Sequence, residues 1–185
     1  MNTLRNIFSL VALAAVTMTG FGCQALSGDS HAVCVIHPTA GNTAAGVIRF
    51  HDVEHGVYVT ADITGLTPNA KHGFHIHQWG DASADDGTAT GGHYDPDESG
   101  HHGRHDDPVR HAGDLGNLEA DAEGNATYNR TITDLTVNGL NNPIVGRAVI
   151  IHAQPDDFGQ PTGNAGARIG QGVIGIAKPP AEHAH

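Results

Sequence analysis

The 185-residue chain has little cysteine, few aromatic residues and a shortage of positive charge. One of its two cysteines lies in the N-terminal segment, so no framework of disulfide bonds can form. Nine lysines and arginines against 20 aspartates and glutamates give a net charge of −11, which argues against nucleic acid or an anionic membrane surface as partners. Aromatics at 5% and 25 glycines indicate many turns between short elements, which is typical of an all-β domain.

The long hydrophobic run of this chain stands at its N-terminus. Arg5 precedes an apolar run from Ile7 to Met18, which predicts an export signal over residues 1–23 and a polar tether over 24–30. Gly20-Phe21-Gly22-Cys23 resembles a lipoprotein cleavage box, although Gly20 stands where an aliphatic residue is usual. We expect an exported protein, periplasmic or at the cell surface, with Cys23 as the lipidation candidate and sole route to the membrane. A plain secreted protein is the alternative.

Residues 31–178 read as one domain of short β-rich runs between turn residues, and residues 179–185 as a mobile tail that contains histidine. No 3.6-residue periodicity is present, so an antiparallel sandwich or flattened barrel is expected. Asp121 to Asn125 predicts a hairpin turn. The predicted strands are Ala32–Ile36, Gly46–Phe50, Val57–Ile63, His72–His77, Leu115–Ala120, Ala126–Ile132, Val145–His152 and Val173–Ala177.

Fifteen histidines bias the composition toward imidazole chemistry. His75 and His77 alternate along one predicted strand, so their side chains share a face while Phe74 and Ile76 point the other way. A strand holds side chains rigidly, and two convergent imidazoles are half of a four-nitrogen metal site. The alternative is a pair of histidines on a solvated edge.

Two predicted connections are too long for hairpin turns: Gln78 to about Arg110, and Ala153 to about Arg168. In the first, His93, His102 and His111 follow one another at nine-residue intervals, with Asp114 three residues later. Three imidazoles and a carboxylate form a closed tetrahedral set suited to zinc. The alternative is a histidine-rich metal-buffering tract or a solvated segment.

Several motifs in a fixed order resemble the copper-zinc superoxide dismutase family over about residues 32–178. The resemblance implies an eight-stranded antiparallel Greek-key β-barrel with two long functional loops, usually paired as a homodimer through its last strand and neighbouring loops. It also implies an enzyme that converts superoxide to dioxygen and hydrogen peroxide with copper and zinc. The motifs are Gly73-Phe74-His75-Ile76-His77, Gly92-His93, Gly113-Asp114-Leu115-Gly116-Asn117, Gly163-Asn164-Ala165-Gly166-Ala167-Arg168 and Gly172-Val173-Ile174-Gly175-Ile176-Ala177.

Carried over residue by residue, the resemblance divides the ligands into two sets that share His93. His101 competes with His102 for one zinc position, and His102 is preferred because Gly103 follows it and because of the nine-residue interval from His93. Asp156 matches a carboxylate that hydrogen-bonds ligands of both metals. The implied copper ligands are His75, His77, His93 and His152, and the implied zinc ligands are His93, His102, His111 and Asp114.

The resemblance gives catalytic roles to His93, which can let go of copper and carry a proton, and to Arg168, which would dock superoxide. Thr162 would form part of the channel wall, and His72 would be structural. The rival interpretation is a non-catalytic barrel that binds or buffers copper and zinc outside the cytoplasm. Further histidines would suit it: His37, His51, His55, His105, His183 and His185.

The chain departs from the family by lacking the two cysteines that usually tie the first long loop to the last strand. Asp86 or Gly87 stands at the first position and Gln171 at the second. Cys34 matches a buried free thiol of the first strand. We expect stability to depend strongly on the zinc site, since losing such a bridge forgoes about 2 to 4 kcal/mol.

Overall fold

A computed structural model of the chain describes residues 30–178. The predicted export signal and tail lie outside these residues, as does the tether apart from Ser30. Within the described range no helix is long and apolar enough to cross a membrane. The elements are β1 (His31–Pro38), β2 (Ala45–Val53), β3 (Gly56–Thr64), β4 (Lys71–His77), a 3-10 helix (Thr88–Thr90), β5 (Asp114–Glu119), β6 (Ala126–Ile132), β7 (Ala148–His152) and β8 (Arg168–Ile176).

The eight strands pair antiparallel in the order β5-β4-β7-β8-β1-β2-β3-β6. The edge strands β5 and β6 are consecutive in sequence and joined by a turn in which Asp121 N–H donates to Asn125 O at 2.8 Å. The Tyr128 hydroxyl on β6 also donates to Leu115 O on β5 at 3.0 Å. The sheet thereby curls into a nearly closed barrel, which confirms the predicted fold class.

The turn predicted at Asp121 to Asn125 is confirmed, but the pairing of its two flanking strands as a hairpin is wrong. As the two ends of the strand order, β5 and β6 are not hydrogen-bonded neighbours within the described sheet. β3 pairs with β6 and β4 with β7 instead, so the connections between β3 and β4 and between β6 and β7 span the barrel. These crossings give the Greek-key arrangement.

Alternating apolar residues fill the barrel. On β3, Val57, Val59, Ala61 and Ile63 are buried while the residues between them are more exposed. β4 is different because both of its faces are buried. Phe74 and Ile76 belong to the core, whereas the alternate residues are covered from outside by the long connections, residues 78–113 and 153–167. A strand enclosed on both sides is therefore the base of the site.

The last strand is longer than the sequence predicts. β8 begins at Arg168 rather than Val173 because its glycines pair instead of breaking the strand. A side chain at Gly172 would come within 2.3 Å of Val35 O and 2.7 Å of Cys34 Sγ, so β1 approaches where only glycine fits. Cys34 is a buried free thiol, as expected, and burial raises its pKa to about 12.

Candidate metal centre

Four histidines from three parts of the chain converge on the outer face of β4. His75 and His77 are fully buried on that face, and His152 is the last residue of the neighbouring strand β7. His93 belongs to the covering loop and is held beside β4 by an isolated bridge to His77. One nitrogen from each of His75, His77, His93 and His152 lies within 4.8 Å of the others. The period-two alternation on β4 thus makes half of a four-nitrogen group.

Three of these rings have one nitrogen held and the other free. His75 Nε2 lies 2.9 Å from Asp156 Oδ2, His77 Nδ1 lies 2.9 Å from Gly91 O, and His152 Nδ1 lies 3.1 Å from Gly166 O. The opposite nitrogens, His75 Nδ1, His77 Nε2 and His152 Nε2, are buried without a hydrogen-bond partner. Unsatisfied buried nitrogens are costly, and a metal ion satisfies all of them together. Nitrogen donors in this number suit copper.

A second group of four lies against the first and shares His93 with it. Around Asp114 Oδ1, the Nδ1 atoms of His93, His102 and His111 lie at 2.8, 3.0 and 3.3 Å. His102 Nδ1 makes no hydrogen bond despite its distance. Ligand atoms around a tetrahedral zinc are about 3.3 Å apart, so the donor set and its spacing fit this ion.

His93 lies between the two groups. Its ring centroid is 4.1 Å from that of His75 on one side, and its Nδ1 faces Asp114 on the other. Burial lowers its pKa, although Asp114 opposes the shift. A single imidazole therefore supplies a nitrogen to each group.

Asp156 links the two groups from behind. Its Oδ2 contacts His75 Nε2 at 2.9 Å and its Oδ1 contacts His102 Nε2 at 2.8 Å, and both contacts are completely buried. Burial alone would raise the pKa of this carboxyl, but the hydrogen bonds with His102 and His75 lower it, so it is ionised. An ionised Asp156 fixes the ring orientation of one ligand from each group.

Burial separates the proton affinities of the two groups. It lowers the pKa of His75 to about 3 and that of His152 to about 4, so these rings are neutral and able to bind a metal near pH 7. Burial acts in the same direction on His102, but the adjacent carboxylates of Asp114 and Asp156 outweigh it and raise its pKa to about 9. Without metal, the His102 ring of the second group is protonated near pH 7 and lies between the ionised carboxylates of Asp114 and Asp156.

The structure distinguishes neighbours that the sequence left open. His102 is buried in the second group, whereas His101 is exposed and outside it. His72 is buried outside both groups, with Nδ1 2.8 Å from His152 O and Nε2 without a hydrogen-bond partner, so only one of its ring nitrogens bonds a backbone carbonyl. His37, His51, His55 and His105 belong to neither group, and His183 and His185 lie outside the described residues.

Arg168 lies at the rim of the first group, opposite His152 in the β7–β8 ladder. Its guanidinium donates to Gly87 O, Thr90 Oγ1 and Gly91 O at 2.5, 2.8 and 2.7 Å. The pKa of His77 is lowered mainly by burial and by the charge of His93. The positive charge of Arg168 lowers it further. Thr162 is exposed in the second loop.

Gln160 positions His102 but carries no signal in the sequence. Its Oε1 accepts from His102 N–H at 2.9 Å and its Nε2 donates to His102 O at 2.7 Å. The second long loop thus holds the backbone of a residue in the first. An isolated glutamine in a polar loop resembles any other surface glutamine, so only the folded geometry reveals this contact.

Comparison with known proteins gives consistent similarities. The model of the copper/zinc superoxide dismutase family matches residues 44–174. A superoxide dismutase [Cu-Zn] of Paramecium bursaria Chlorella virus 1 is 44% identical over 72% of this chain and 73% of its own length. Those of Schizosaccharomyces pombe and Onchocerca volvulus are 45% and 39% identical over 72% and 80% of this chain, covering 90% and 97% of their own lengths.

Proposed function

This chain belongs to the copper/zinc superoxide dismutase family, and we propose that its two His93-linked groups carry out superoxide dismutation. Two superoxide anions and two protons give one dioxygen and one hydrogen peroxide. The observation that supports this function best is the shared position of His93 between an all-nitrogen group and a His₃Asp group. A protein that only stores metal has no use for a bridge between two sites.

We assign copper to His75, His77, His93 and His152, and zinc to His93, His102, His111 and Asp114. When bound, copper supplies the one-electron chemistry, in which one superoxide reduces it and the next reoxidises it, while zinc supplies a fixed positive charge. The protein's part is to hold both donor sets rigidly. β4 and β7 carry three of the four nitrogens of the first set, so these corners stay in place.

His93 is the residue suited to proton movement. Its Nδ1 is committed to the Asp114 side, so its other ring nitrogen, Nε2, can take up a proton and release it toward the substrate. Burial keeps the pKa of the ring low, which favours release of that proton. This supplies one of the two protons that peroxide requires.

Arg168 is proposed to dock superoxide. The chain carries a net charge of −11, so an anionic substrate needs a local positive target. Arg168 is the cation beside His77 and His152, and the loop carbonyls of Gly87 and Gly91 fix its guanidinium. A positive group in a cleft can raise on-rates by about 10- to 1000-fold. Thr162 is proposed as part of the channel wall.

The function is tested with the full metal complement in wild-type protein and in the His93→Ala and Arg168→Ala variants. Wild-type protein should remove superoxide rapidly. His93→Ala should lose the zinc-dependent part of the activity, and Arg168→Ala should lower the second-order rate about 10-fold or more and flatten its salt dependence with copper retained. Wild-type protein that binds both metals and leaves superoxide untouched would instead support the buffering interpretation.

We also propose that the protein forms a homodimer through the outer face of β1 and β8. The face carries exposed apolar side chains, with Val35 46% and Val173 40% exposed, and Val33 and Gly175 line the same groove. Apolar side chains grouped on a sheet face are characteristic of association surfaces. Val35→Lys with Val173→Lys should give a monomer by sedimentation, whereas Thr127→Lys on the exposed face of β6 should not. A monomeric wild type would contradict the proposal.

Export and lipid attachment are proposals from the sequence alone, because residues 1–29 lie outside the described part of the chain. We propose cleavage before Cys23 and acylation of that cysteine, which would hold the protein at an extracytoplasmic membrane surface through a lipid and the 24–30 tether. Mass spectrometry of the mature N-terminus tests this. An unmodified N-terminus at another residue would contradict it, and Cys23→Ser should abolish the lipid mass.

A further inference from the structure

The loop that follows β4 is tied to β8 at two side chains of that strand. Gln171 is buried, and its Nε2 donates to Ala84 O at 3.0 Å across 87 positions of sequence. Since Ala84 offers a carbonyl oxygen, the amide must direct its NH₂ group to it. The other end of the amide, Oε1, is buried without a partner. The whole polar contribution of this side chain is therefore its bond to the loop.

The same carbonyl is connected to Arg168 through two further hydrogen bonds. Ala84 O also accepts from Gly87 N–H at 3.0 Å, which closes the turn of residues 84–87. Gly87 O in turn accepts from Arg168 Nη1. Gln171 and Arg168, three residues apart on β8, thus hold the two ends of one tight turn. Where this turn lies decides where the guanidinium points.

A third contact fixes the turn from the side of β1. Ala40 N–H donates to Asp85 O at 2.8 Å, and the Thr39 hydroxyl donates to Arg168 O at 2.7 Å. The turn is thereby held between the connection that follows β1 and the side chains of β8. Of these contacts, only the Gln171 amide depends on a side chain that has no other polar task.

We propose that Gln171 is a positioning residue for Arg168, because its amide holds the 84–87 turn against β8 without a covalent link. The inference rests on the proposed docking of superoxide by Arg168. It gives a specific role to the residue that stands where the family resemblance would put a cysteine. Removal of the amide should let the turn drift and take the guanidinium with it.

The test compares Gln171→Met with wild type, both loaded with copper and zinc and confirmed to be the same oligomer. Methionine keeps the side-chain volume and removes the donor. Loss of one net hydrogen bond should lower the second-order rate about fivefold. Amide hydrogen exchange at Gly87 and Gly91 should speed up. Gln171→Asn, whose amide is one carbon too short, repeats the test with polarity kept.

A matched control is Thr43→Val, which removes another side-chain bond between loops, from Thr43 Oγ1 to Gly65 O at 2.7 Å. It should leave the rate and exchange at Gly87 unchanged. In an Arg168→Ala background, Gln171→Met should cause no further loss of rate, because the two effects act through one group. An equal further loss there, or an unchanged rate and exchange in the single variant, would overturn the inference alone. An unchanged rate in Arg168→Ala would overturn the docking role and the inference with it.

Discussion

His101 and His102 are chemically identical neighbours with opposite surroundings. His102 contacts Asp156 and Asp114 through its ring and Gln160 through its backbone, while His101 is exposed. We expect His102→Ala to lose zinc, because a tetrahedral site with three protein ligands is open and weaker. Zinc content after dialysis should fall to a small fraction of the wild-type value.

The adjacent His101→Ala is the matched control for this variant. It changes the same number of histidines in the same loop and should retain its zinc. If both variants lose the metal equally, the loop would be binding zinc as a diffuse histidine-rich tract. Retention of zinc by His102→Ala would remove His102 from the site.

Some of these residue assignments can be read from the sequence, for physical reasons. His75 and His77 are predictable because strand periodicity is local. His93, His102 and His111 lie on irregular chain, so only their regular spacing and family resemblance indicate them. Gln160 and Gln171 act on backbone atoms of distant segments. No pattern near either residue records which carbonyl or amide it will meet.

The second long loop depends on one glycine that approaches the site closely. Gly163 has φ +75°, and a Cβ there would lie 2.0 Å from Asp156 Oδ1 and 2.6 Å from His102 Nε2. We expect Gly163→Ala to push the carboxylate away from the two rings it orients. Loss of such an orienting partner typically lowers metal affinity about 10- to 100-fold. A competition titration with a chelator measures this.

Gly41→Ala separates this effect from simple backbone strain. Gly41 has nearly the same φ, +77°, but open space around its Cβ position. Both variants should lose about 1 to 2 kcal/mol of stability from the left-handed conformation. Only Gly163→Ala should lose metal affinity. Equal affinity in the two variants would show that Asp156 has room to move.

The elements themselves follow the sequence where propensity and packing agree. β3 alternates cleanly and is predicted almost to its ends. The length of β8 is underestimated because Gly170 and Gly172 are typical of strand ends. In the structure these glycines lie within the strand and allow the close approach of β1. The β5–β6 turn is predicted while its ladder is not, since a turn is local and the closure of a barrel is a property of the whole sheet.

For the whole molecule, metal and stability should be closely linked. No disulfide is formed within the described residues, and two groups of buried ligands face one another. Metal that binds only the folded state stabilises it by about 4 kcal/mol at 1000 times its Kd. Removal of both metals should therefore lower Tm by about 10 °C or more. Scanning calorimetry of loaded and chelated protein tests this, and nearly equal melting curves would contradict it.

The metal-free protein should also lose stability in acid. The folded-state pKa values of His75 and His152, about 3 and about 4, lie below the value of about 6.5 for an unfolded chain. Below pH 6.5 these histidines bind protons in the unfolded state but not in the folded state. The free energy of unfolding therefore falls as the pH drops toward 4. His102 acts oppositely: its contribution is present below pH 6.5 and lost as the pH rises through about 9.

Urea unfolding of the chelated protein at several pH values measures the loss of stability in acid and the loss as the pH rises through about 9. His152→Gln should weaken the fall in acid, because it removes one of the buried histidines whose pKa is lowered. Constant stability between pH 6.5 and 4 would mean that these rings are not buried in the neutral form.

The most direct measurement of the central claim is the stoichiometry of superoxide removal by the protein loaded with both metals. Superoxide, dioxygen and hydrogen peroxide are followed together at a protein concentration far below that of the substrate. We predict many turnovers at a rate far above that of spontaneous dismutation, with one dioxygen and one peroxide formed for every two superoxide anions consumed. Consumption that falls back to the spontaneous rate once the bound metal has reacted, or peroxide without matching dioxygen, would contradict this function.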